Sequence, residues 1–207
     1  DMTAEHRSYI CEVRAEGDGD ESLITGRPIV FGSRTDLGWF DEVIDPGALD
    51  KTDLTDVRLL VNHDLSKIPL ARSRNNNMNS TMQLMPNDYG MDFKARIDIG
   101  ANADAKALDS AVRRGDISGM SFMFFVDGEE WENLDSEHPT RHITAISRVV
   151  EISAVTFPAY DATSIQARSK EALDNARQTL ESAREQRAEP LDSELDLLKL
   201  KVKILGG

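Results

Sequence analysis

A strongly β-prone stretch, Gly115-Asp116-Ile117-Ser118-Gly119-Met120-Ser121-Phe122-Met123-Phe124-Phe125, lies near the middle of the 207-residue chain. A small serine–glycine step opens onto a run of aromatic and apolar residues, which is a composition typical of a strand. Gly119 stands two residues before Ser121 and leaves room for a substrate backbone to approach closely. We therefore expect a strand that holds Ser121 rigidly where another chain can reach it.

Further strands are predicted on both sides of this stretch. The continuous apolar run 57–62 indicates a buried strand, and alternation around the turn 86–90 indicates a hairpin. Residues 102–114 carry alanine and leucine at helical spacing, and Gly115 follows as a natural end. The predicted strands are 7–15, 22–33, 57–62, 82–85, 91–99, 117–126, 141–147 and 149–157, with an exposed, mobile loop over 127–141.

This order of elements predicts a protein of the α+β class. We expect a mostly antiparallel β-barrel or sandwich with an internal helix and a helical C-terminal arm. The composition changes at Ser169: residues 170–187 carry apolar side chains spaced by three and four, and 191–204 form a Leu-rich segment. The predicted domains are therefore 1–168 and a helical arm over 169–207.

The composition argues against several classes of function. With a net charge of −13, the chain has no cluster of lysine and arginine to neutralise nucleic-acid phosphates. No apolar stretch approaches the roughly 20 residues that a bilayer span requires. The single cysteine, Cys11, excludes an intrachain disulfide and is typical of a reducing compartment. Since glycine-rich phosphate loops are also absent, we expect an intracellular protein with no cofactor, no nucleic-acid partner and no membrane contact.

Three separated segments supply what acyl transfer requires: a base, a nucleophile and an orienting acid. His63 directly follows the apolar run 57–62, which brings its imidazole to the end of a strand. Ser121 lies on the β-prone stretch, and Glu151 interrupts the otherwise apolar strand 149–157. A half-buried carboxylate needs a partner, which an imidazolium would supply. The predicted catalytic residues are therefore His63, Ser121 and Glu151.

Each of these positions also has a purely structural interpretation. His63 is also compatible with a surface histidine at a strand end, and Glu151 with a strand residue that faces solvent. Ser121 is compatible with a small residue packed beneath a sheet. Ser118 is a second candidate serine, but on a strand it points to the face opposite Ser121, so only one of the two lines a given pocket. Ser121 becomes a nucleophile only beside a base, which ties its role to His63.

Two further histidines are candidates for the third role. His138 and His142 compete with Glu151 to orient His63, because some serine proteases use a second histidine. Their i, i+4 spacing also suggests a metal site, but Pro139 argues against a helix through this segment, and no third positioned ligand is evident. We therefore expect no metal.

Five short segments then follow one another in a recognisable order through residues 22–168. They are Gly26-Arg27-Pro28-Ile29-Val30-Phe31-Gly32, Trp39-Phe40-Asp41-Glu42-Val43-Ile44-Asp45-Pro46-Gly47-Ala48-Leu49, Leu59-Leu60-Val61-Asn62-His63-Asp64, Ile117-Ser118-Gly119-Met120-Ser121-Phe122 and Glu151-Ile152-Ser153-Ala154-Val155-Thr156-Phe157-Pro158-Ala159-Tyr160. Together they resemble the prohead (capsid maturation) proteases of tailed bacteriophages, the family typified by phage HK97. One position departs from the family pattern, since Met123 stands where members often carry glycine.

The resemblance implies a serine endopeptidase related in fold to the herpesvirus assemblins. It assigns His63 as general base, Ser121 as nucleophile and Glu151 as the third member. It further implies cleavage of the scaffold segment of the major capsid protein, and of the enzyme itself, inside the assembling prohead in the host cytoplasm. Self-association is expected from the same resemblance, and the arm over 169–207 is expected to be scaffold-like or a packing or dimer contact.

Two other functions compete with this interpretation. A non-catalytic capsid scaffolding or assembly protein that retains the protease fold would have the same acidic charge and helical arm. Such a protein has no need to place Ser121 Oγ within hydrogen-bond reach of His63. An esterase or lipase is disfavoured, because the chain lacks the G-x-S-x-G turn and the strand–helix alternation of that fold.

Overall fold

The computed structural model describes residues 4–17, 19–156 and 174–187. Within them the chain forms eleven strands and two helices, which confirms the predicted α+β class. The strands are β1 (Glu5–Ile10), β2 (Arg14–Glu16), β3 (Glu21–Val30), β4 (Arg34–Asp36), β5 (Asp41–Ile44), β6 (Asp56–Val61), β7 (Ala71–Arg74), β8 (Met82–Asn87), β9 (Gly90–Asp98), β10 (Gly119–Glu132) and β11 (Thr140–Val155). The helices are α1 (Ala103–Arg113) and α2 (174–187).

The strands are arranged in two sheets. Hydrogen bonding in the first sheet follows the order β1-β10-β11-β5-β4, and β6 pairs with both β11 and β7. The second sheet has the order β2-β3-β9-β8. The pairs β11–β5 and β11–β6 are parallel, whereas β10–β11 and β6–β7 are antiparallel. The first sheet is therefore mixed, and β11 joins the two halves of it.

Neither sheet closes into a barrel among the described residues, contrary to the closed form that we expected. Both sheets are open and contribute to one apolar core, which includes Phe122 and Ile152 from the first sheet and Ile24 and Phe93 from the second. Closure requires hydrogen bonds between edge strands, whereas apolar alternation specifies only which face of a strand is buried. The sequence pattern therefore identifies the buried faces without distinguishing an open pair of sheets from a closed one.

The longest strands differ most from the prediction. The segments 141–147 and 149–157 were predicted as two strands but form the single β11, and β10 continues to Glu132 through the predicted mobile loop. The register between β10 and β11 shifts four times between Met123 and Glu129. The two strands nevertheless stay paired on both sides of these bulges. Bulges place an extra residue in one strand and break the alternation on which the prediction depended. The predicted loop 127–141 is therefore wrong over most of its length, and a turn remains only near 133–139.

The predicted hairpin and internal helix are confirmed. Strands β8 and β9 are antiparallel, and Gly90 adopts a φ of +140° where a Cβ atom would lie 1.9 Å from the Ile29 carbonyl oxygen. Helix α1 begins after Asn102, whose side chain accepts hydrogen bonds from the Asp104 and Ala105 amides. The chain leaves α1 through Gly115 at a φ of +76°. These local signals place the turns as the sequence analysis expected.

A buried network of ion pairs holds β1 against the first sheet. Arg7 forms a short ion pair with Glu42, which is 2 % exposed. Arg141 contacts the same Glu42 at 2.9 Å and also binds Glu5 and Glu129. Since β1, β5, β10 and β11 all contribute, the network fixes the register of the N-terminal strand.

Helix α2 is attached to this domain through a small second core. Leu180, Phe40 and Leu134 are buried together, and the Arg184 guanidinium donates to the Leu134 carbonyl at 3.1 Å. The predicted domain boundary near 168 and the arm beyond 187 lie outside the described residues. No helix in the described ranges is long and apolar enough to cross a membrane.

Candidate active site

The register of the first sheet brings two of the predicted residues onto one face. Ser121 lies opposite Ser153, and Glu151 lies opposite Met123, on the neighbouring strands β10 and β11. Residues in direct register on paired strands share a face, because successive side chains alternate. Two rows therefore cross this face: His6, Met123, Glu151 and Arg58 in the first, and Ser8, Ser121, Ser153 and Leu60 in the second.

His63 reaches the same face through a sharp turn after β6. Asn62 and His63 have φ values of +51° and +59°, two consecutive left-handed residues without a glycine. Such conformations cost of the order of 1–3 kcal/mol each and need support from their surroundings. The support comes from β11: the His63 amide donates to Ser153 Oγ at 3.1 Å, and the Asn62 amide oxygen accepts from the Thr156 N–H at 3.0 Å.

His63 and Glu151 form the closest polar contact of the site. His63 Nδ1 lies 2.5 Å from Glu151 Oε1, and the carboxylate is 0 % exposed. The second oxygen, Oε2, accepts a hydrogen bond from Ser153 Oγ at 2.6 Å. Both oxygens of the buried carboxylate are therefore bonded, as a charge removed from water requires.

Ser121 lies beside this pair but is bonded elsewhere. Its hydroxyl donates to the Arg7 carbonyl of β1 at 2.7 Å, and the residue is 0 % exposed. Among the described residues no hydrogen bond joins Ser121 to His63. The structure thus brings His63 and Glu151 into contact and places Ser121 on the same face with its hydroxyl turned toward the edge strand.

His6 is a residue of this site that the sequence analysis did not identify. Its ring centroid lies 4.4 Å from that of His63, with the planes tilted by 48°. Burial of part of the ring lowers the pKa of His6, and the neighbouring His63 lowers it further, while Glu151 acts in the opposite direction. The sequence around His6 carries no signal for this position, because no local pattern indicates which strand β1 pairs with.

The rival residues lie in other surroundings. Ser118 is exposed and precedes β10, and its carbonyl accepts a hydrogen bond from the Cys11 amide. His138 Nε2 is 3.1 Å from Asp41, and His142 Nδ1 is 2.8 Å from Asp45. The two histidines are therefore paired with separate carboxylates, and neither contacts His63.

A sequence model of the family described as caudovirus prohead serine protease matches residues 10–178 of the chain. The chain belongs to this family. The match covers the His63, Ser121 and Glu151 segments and extends into α2, past the predicted boundary near 168, whereas His6 lies before it.

Membership in the prohead protease family defines the class of protein. It indicates a serine peptidase of phage capsid maturation, with capsid protein as substrate and the assembling capsid as the place of action. Neither the curated proteins nor the solved structures that we compared gave a match.

Proposed function

We propose that this prohead protease is an active serine endopeptidase in which Ser121 is the nucleophile, His63 the general base and Glu151 the residue that orients the base. The observation that carries the proposal is the 2.5 Å contact between His63 Nδ1 and Glu151 Oε1, made on the sheet face that also holds Ser121. A buried carboxylate bonded to one imidazole nitrogen, beside a serine, is the arrangement that acyl transfer uses.

Glu151 sets the tautomer of the base in this mechanism. With the carboxylate accepting from Nδ1–H, the lone pair of His63 lies on Nε2, which is the nitrogen that can take a proton from serine. The carboxylate then stabilises the imidazolium that forms. Ser153 acts as a positioning residue, because its single hydroxyl donates to Glu151 and accepts from the His63 amide.

Ser121 turns from Arg7 to His63 when substrate binds. Its hydroxyl is held by the Arg7 carbonyl at 2.7 Å, so rotation about the Cα–Cβ bond exchanges one acceptor for another. Nε2 of His63 takes the hydroxyl proton as Oγ bonds to the substrate carbonyl carbon. The peptide C–N bond then breaks, His63 returns the proton to the leaving amine, and water releases the acyl group by the same route.

The substrate that the family implies is the capsid precursor. We propose that the enzyme cleaves its scaffold segment inside the prohead, that it also cleaves itself, and that residues 169–207 form a scaffold-like arm of the protease domain over 1–168. Self-association and a relation in fold to the HK97 and herpesvirus enzymes belong to the same proposal. The net charge of −13 is unfavourable for binding nucleic acid, which agrees with a protein that acts on capsid protein inside the prohead.

The test is a time course of cleavage with purified full-length chain and the capsid precursor of its phage. Wild type is compared with Ser121→Ala, and Ser118→Ala is the matched control because this serine is exposed and lies outside the His63 contact. We expect loss of precursor with wild type and Ser118→Ala, and none with Ser121→Ala. A precursor that stays intact with every variant while it assembles with the chain would support the scaffolding function instead.

A further inference from the structure

A third side chain converges on the His63–Glu151 pair from β1, outside the part of the chain that matches the family. His6, His63 and Glu151 each offer one ligand atom, and these atoms all lie within 4.8 Å of one another. We propose that these three residues bind a zinc ion and that the bound ion holds the peptidase inactive. The second half of this proposal rests on the proposed function, and the first half does not.

The ligand set suits zinc. Two imidazoles and one carboxylate, with a fourth position open to water, form a common three-residue zinc site. Tetrahedral zinc with bonds of about 2.0–2.2 Å keeps its ligand atoms about 3.4 Å apart. Zinc binding therefore requires His63 Nδ1 and Glu151 Oε1, now 2.5 Å apart, to separate by about an ångström, and His6, within 4.8 Å of both residues' ligand atoms, to approach by up to about 1.4 Å. His6 can make this shift, because it is exposed on a strand at the edge of the sheet.

The carboxylate is already oriented for a metal. Ser153 Oγ holds Glu151 Oε2 at 2.6 Å, so that Oε1 alone points toward His63. A hydrogen bond to the second oxygen of a ligating carboxylate is the outer contact that zinc sites use to fix their ligands. The same Ser153 hydroxyl anchors the His63 backbone at 3.1 Å. Ser153 thus contacts two of the three ligand residues before any ion arrives.

Zinc would inactivate the base by changing its tautomer. In the proposed mechanism the metal-free His63 donates from Nδ1 to Glu151 Oε1, 2.5 Å away, and Nε2 carries the lone pair. When the ion replaces this proton, the pair opens, Nδ1 and Oε1 bond to zinc, and the proton moves to Nε2. The imidazole stays neutral, but its Nε2–H is now a donor and cannot accept the Ser121 proton. Removal of the ion restores the lone pair.

A second group of metal-binding side chains provides an internal control. Asp36, Asp41 and His138 also lie close together, but they contain one imidazole instead of two. Asp41 is already bonded to the Arg34 guanidinium at 2.8 Å, and Asp36 accepts from the Gly38 amide at 2.6 Å. Zinc prefers nitrogen and sulfur ligands, so this group competes poorly for the ion.

The experiment measures zinc binding and inhibition on the full chain. Zinc chloride is titrated in competition with a chromophoric chelator, and cobalt(II) is added separately to record the visible absorption of a tetrahedral site. Wild type is compared with His6→Ala and His6→Gln, with His138→Ala as the matched control. Cleavage of the capsid precursor is then followed over the same zinc range, each variant being normalised to its own metal-free rate.

We expect wild type and His138→Ala to bind one equivalent of zinc and to regain activity when a chelator is added. Both His6 variants should bind at least about tenfold more weakly, since loss of even an outer contact costs about that much. Their inhibition midpoints should rise by the same factor. If wild type and both folded His6 variants bound zinc with equal affinity, His6 would not be a ligand and the proposed site would be wrong. If wild type bound zinc tightly without losing activity, the proposed inhibition would be wrong.

Failure of the proposed function would look different. If metal-free wild type cleaves no precursor, the peptidase assignment fails, while the chelator competition and the cobalt spectrum still decide whether His6 belongs to a zinc site. Folding of each variant is checked by circular dichroism before either measurement.

Discussion

Ser121 and Ser153 lie directly opposite each other on β10 and β11, yet their hydroxyls donate in different directions. Ser121 donates to the Arg7 carbonyl of the edge strand, whereas Ser153 donates to the buried Glu151 carboxylate. One serine of the pair is therefore bound to backbone, and the other is part of the His63–Glu151 arrangement. In the proposed mechanism the two serines have separate roles: Ser121 leaves the Arg7 carbonyl to attack the substrate, and Ser153 positions His63 and Glu151.

Replacing Ser153 with alanine should slow turnover without weakening substrate binding. The change removes the hydrogen bonds to Glu151 Oε2 and to the His63 amide at once. A hydrogen bond to a charged group is worth about 1.5–3 kcal/mol, which corresponds to a loss in kcat on the order of 10- to 100-fold. Steady-state kinetics on a peptide from the cleavage site would show kcat falling and KM staying the same. An unchanged kcat in a folded Ser153→Ala protein would remove its positioning role.

Glu151→Gln should reduce the rate much more. An amide at this position can donate to Nδ1 and so favour the tautomer in which Nε2 carries the proton, which is the wrong one for a base. In comparable triads this exchange costs about 10⁴-fold in kcat. The measurement is single-turnover cleavage by a protein whose fold is verified. A rate within a few-fold of wild type would mean that another group orients His63.

The ion-pair network around β1 predicts a loss of stability in acid. Burial alone would raise the pKa of Glu5, but Arg7 and Arg141 lower it from 4.5 to about 2. Because the folded-state pKa is depressed, the contribution of Glu5 is fully present above about pH 4.5 and is lost as the pH falls toward 2. The contribution is at most about 3 kcal/mol.

Urea unfolding at several pH values measures this contribution. Wild type should lose stability between pH 4.5 and pH 2 more steeply than Glu5→Gln, whose side chain does not titrate. Glu12→Gln is a suitable control, because Glu12 is exposed and pairs with the exposed Arg14, outside the buried network. If the free energies of unfolding of wild type and Glu5→Gln changed in parallel with pH, ionised Glu5 would not contribute to stability in this way.

The β8–β9 hairpin should depend on Gly90. A Cβ atom there would lie 1.9 Å from the Ile29 carbonyl oxygen, at a φ of +140° that other residues rarely adopt. Gly90→Ala should therefore cost at least about 2 kcal/mol in free energy of unfolding or prevent folding. Gly32→Ala is the matched control: its φ is also positive, at +68°, but nothing lies within 4 Å of the added atom. Similar losses in both variants would show that backbone conformation alone, without the clash, determines the cost.

The sequence predicted those features that depend on neighbouring residues. The end of α1 at Gly115 and the hairpin before Gly90 follow from local chemistry, and the structure has both of them. The long β11 was missed because its pairing with β10 continues through bulges, which interrupt the alternation of apolar residues. The open edges of the sheets were missed because no local pattern records which strands remain unpaired.

The same distinction between local signals and long-range strand pairing applies to the candidate site. A carboxylate in an apolar strand predicts a buried partner, and the structure supplies His63 at 2.5 Å from Glu151. The position of His6 depends on β1 pairing with β10 across more than a hundred residues of sequence, which its own residues do not encode. The hydrogen bond from Ser121 to Arg7 depends on the same pairing. Contacts made through β1 could therefore not be predicted from the sequence, whereas the contact between His63 and Glu151 could.

The central claim is that His63 activates Ser121, and covalent labelling tests it most directly. The full chain is incubated with a fluorophosphonate, which reacts with activated serines, and the modified residue is located by mass spectrometry of the digested protein. We predict a single label on Ser121 in wild type and none in His63→Ala, with Ser118 unlabelled in both. A label on Ser118, or equal labelling of Ser121 with and without His63, would contradict the account.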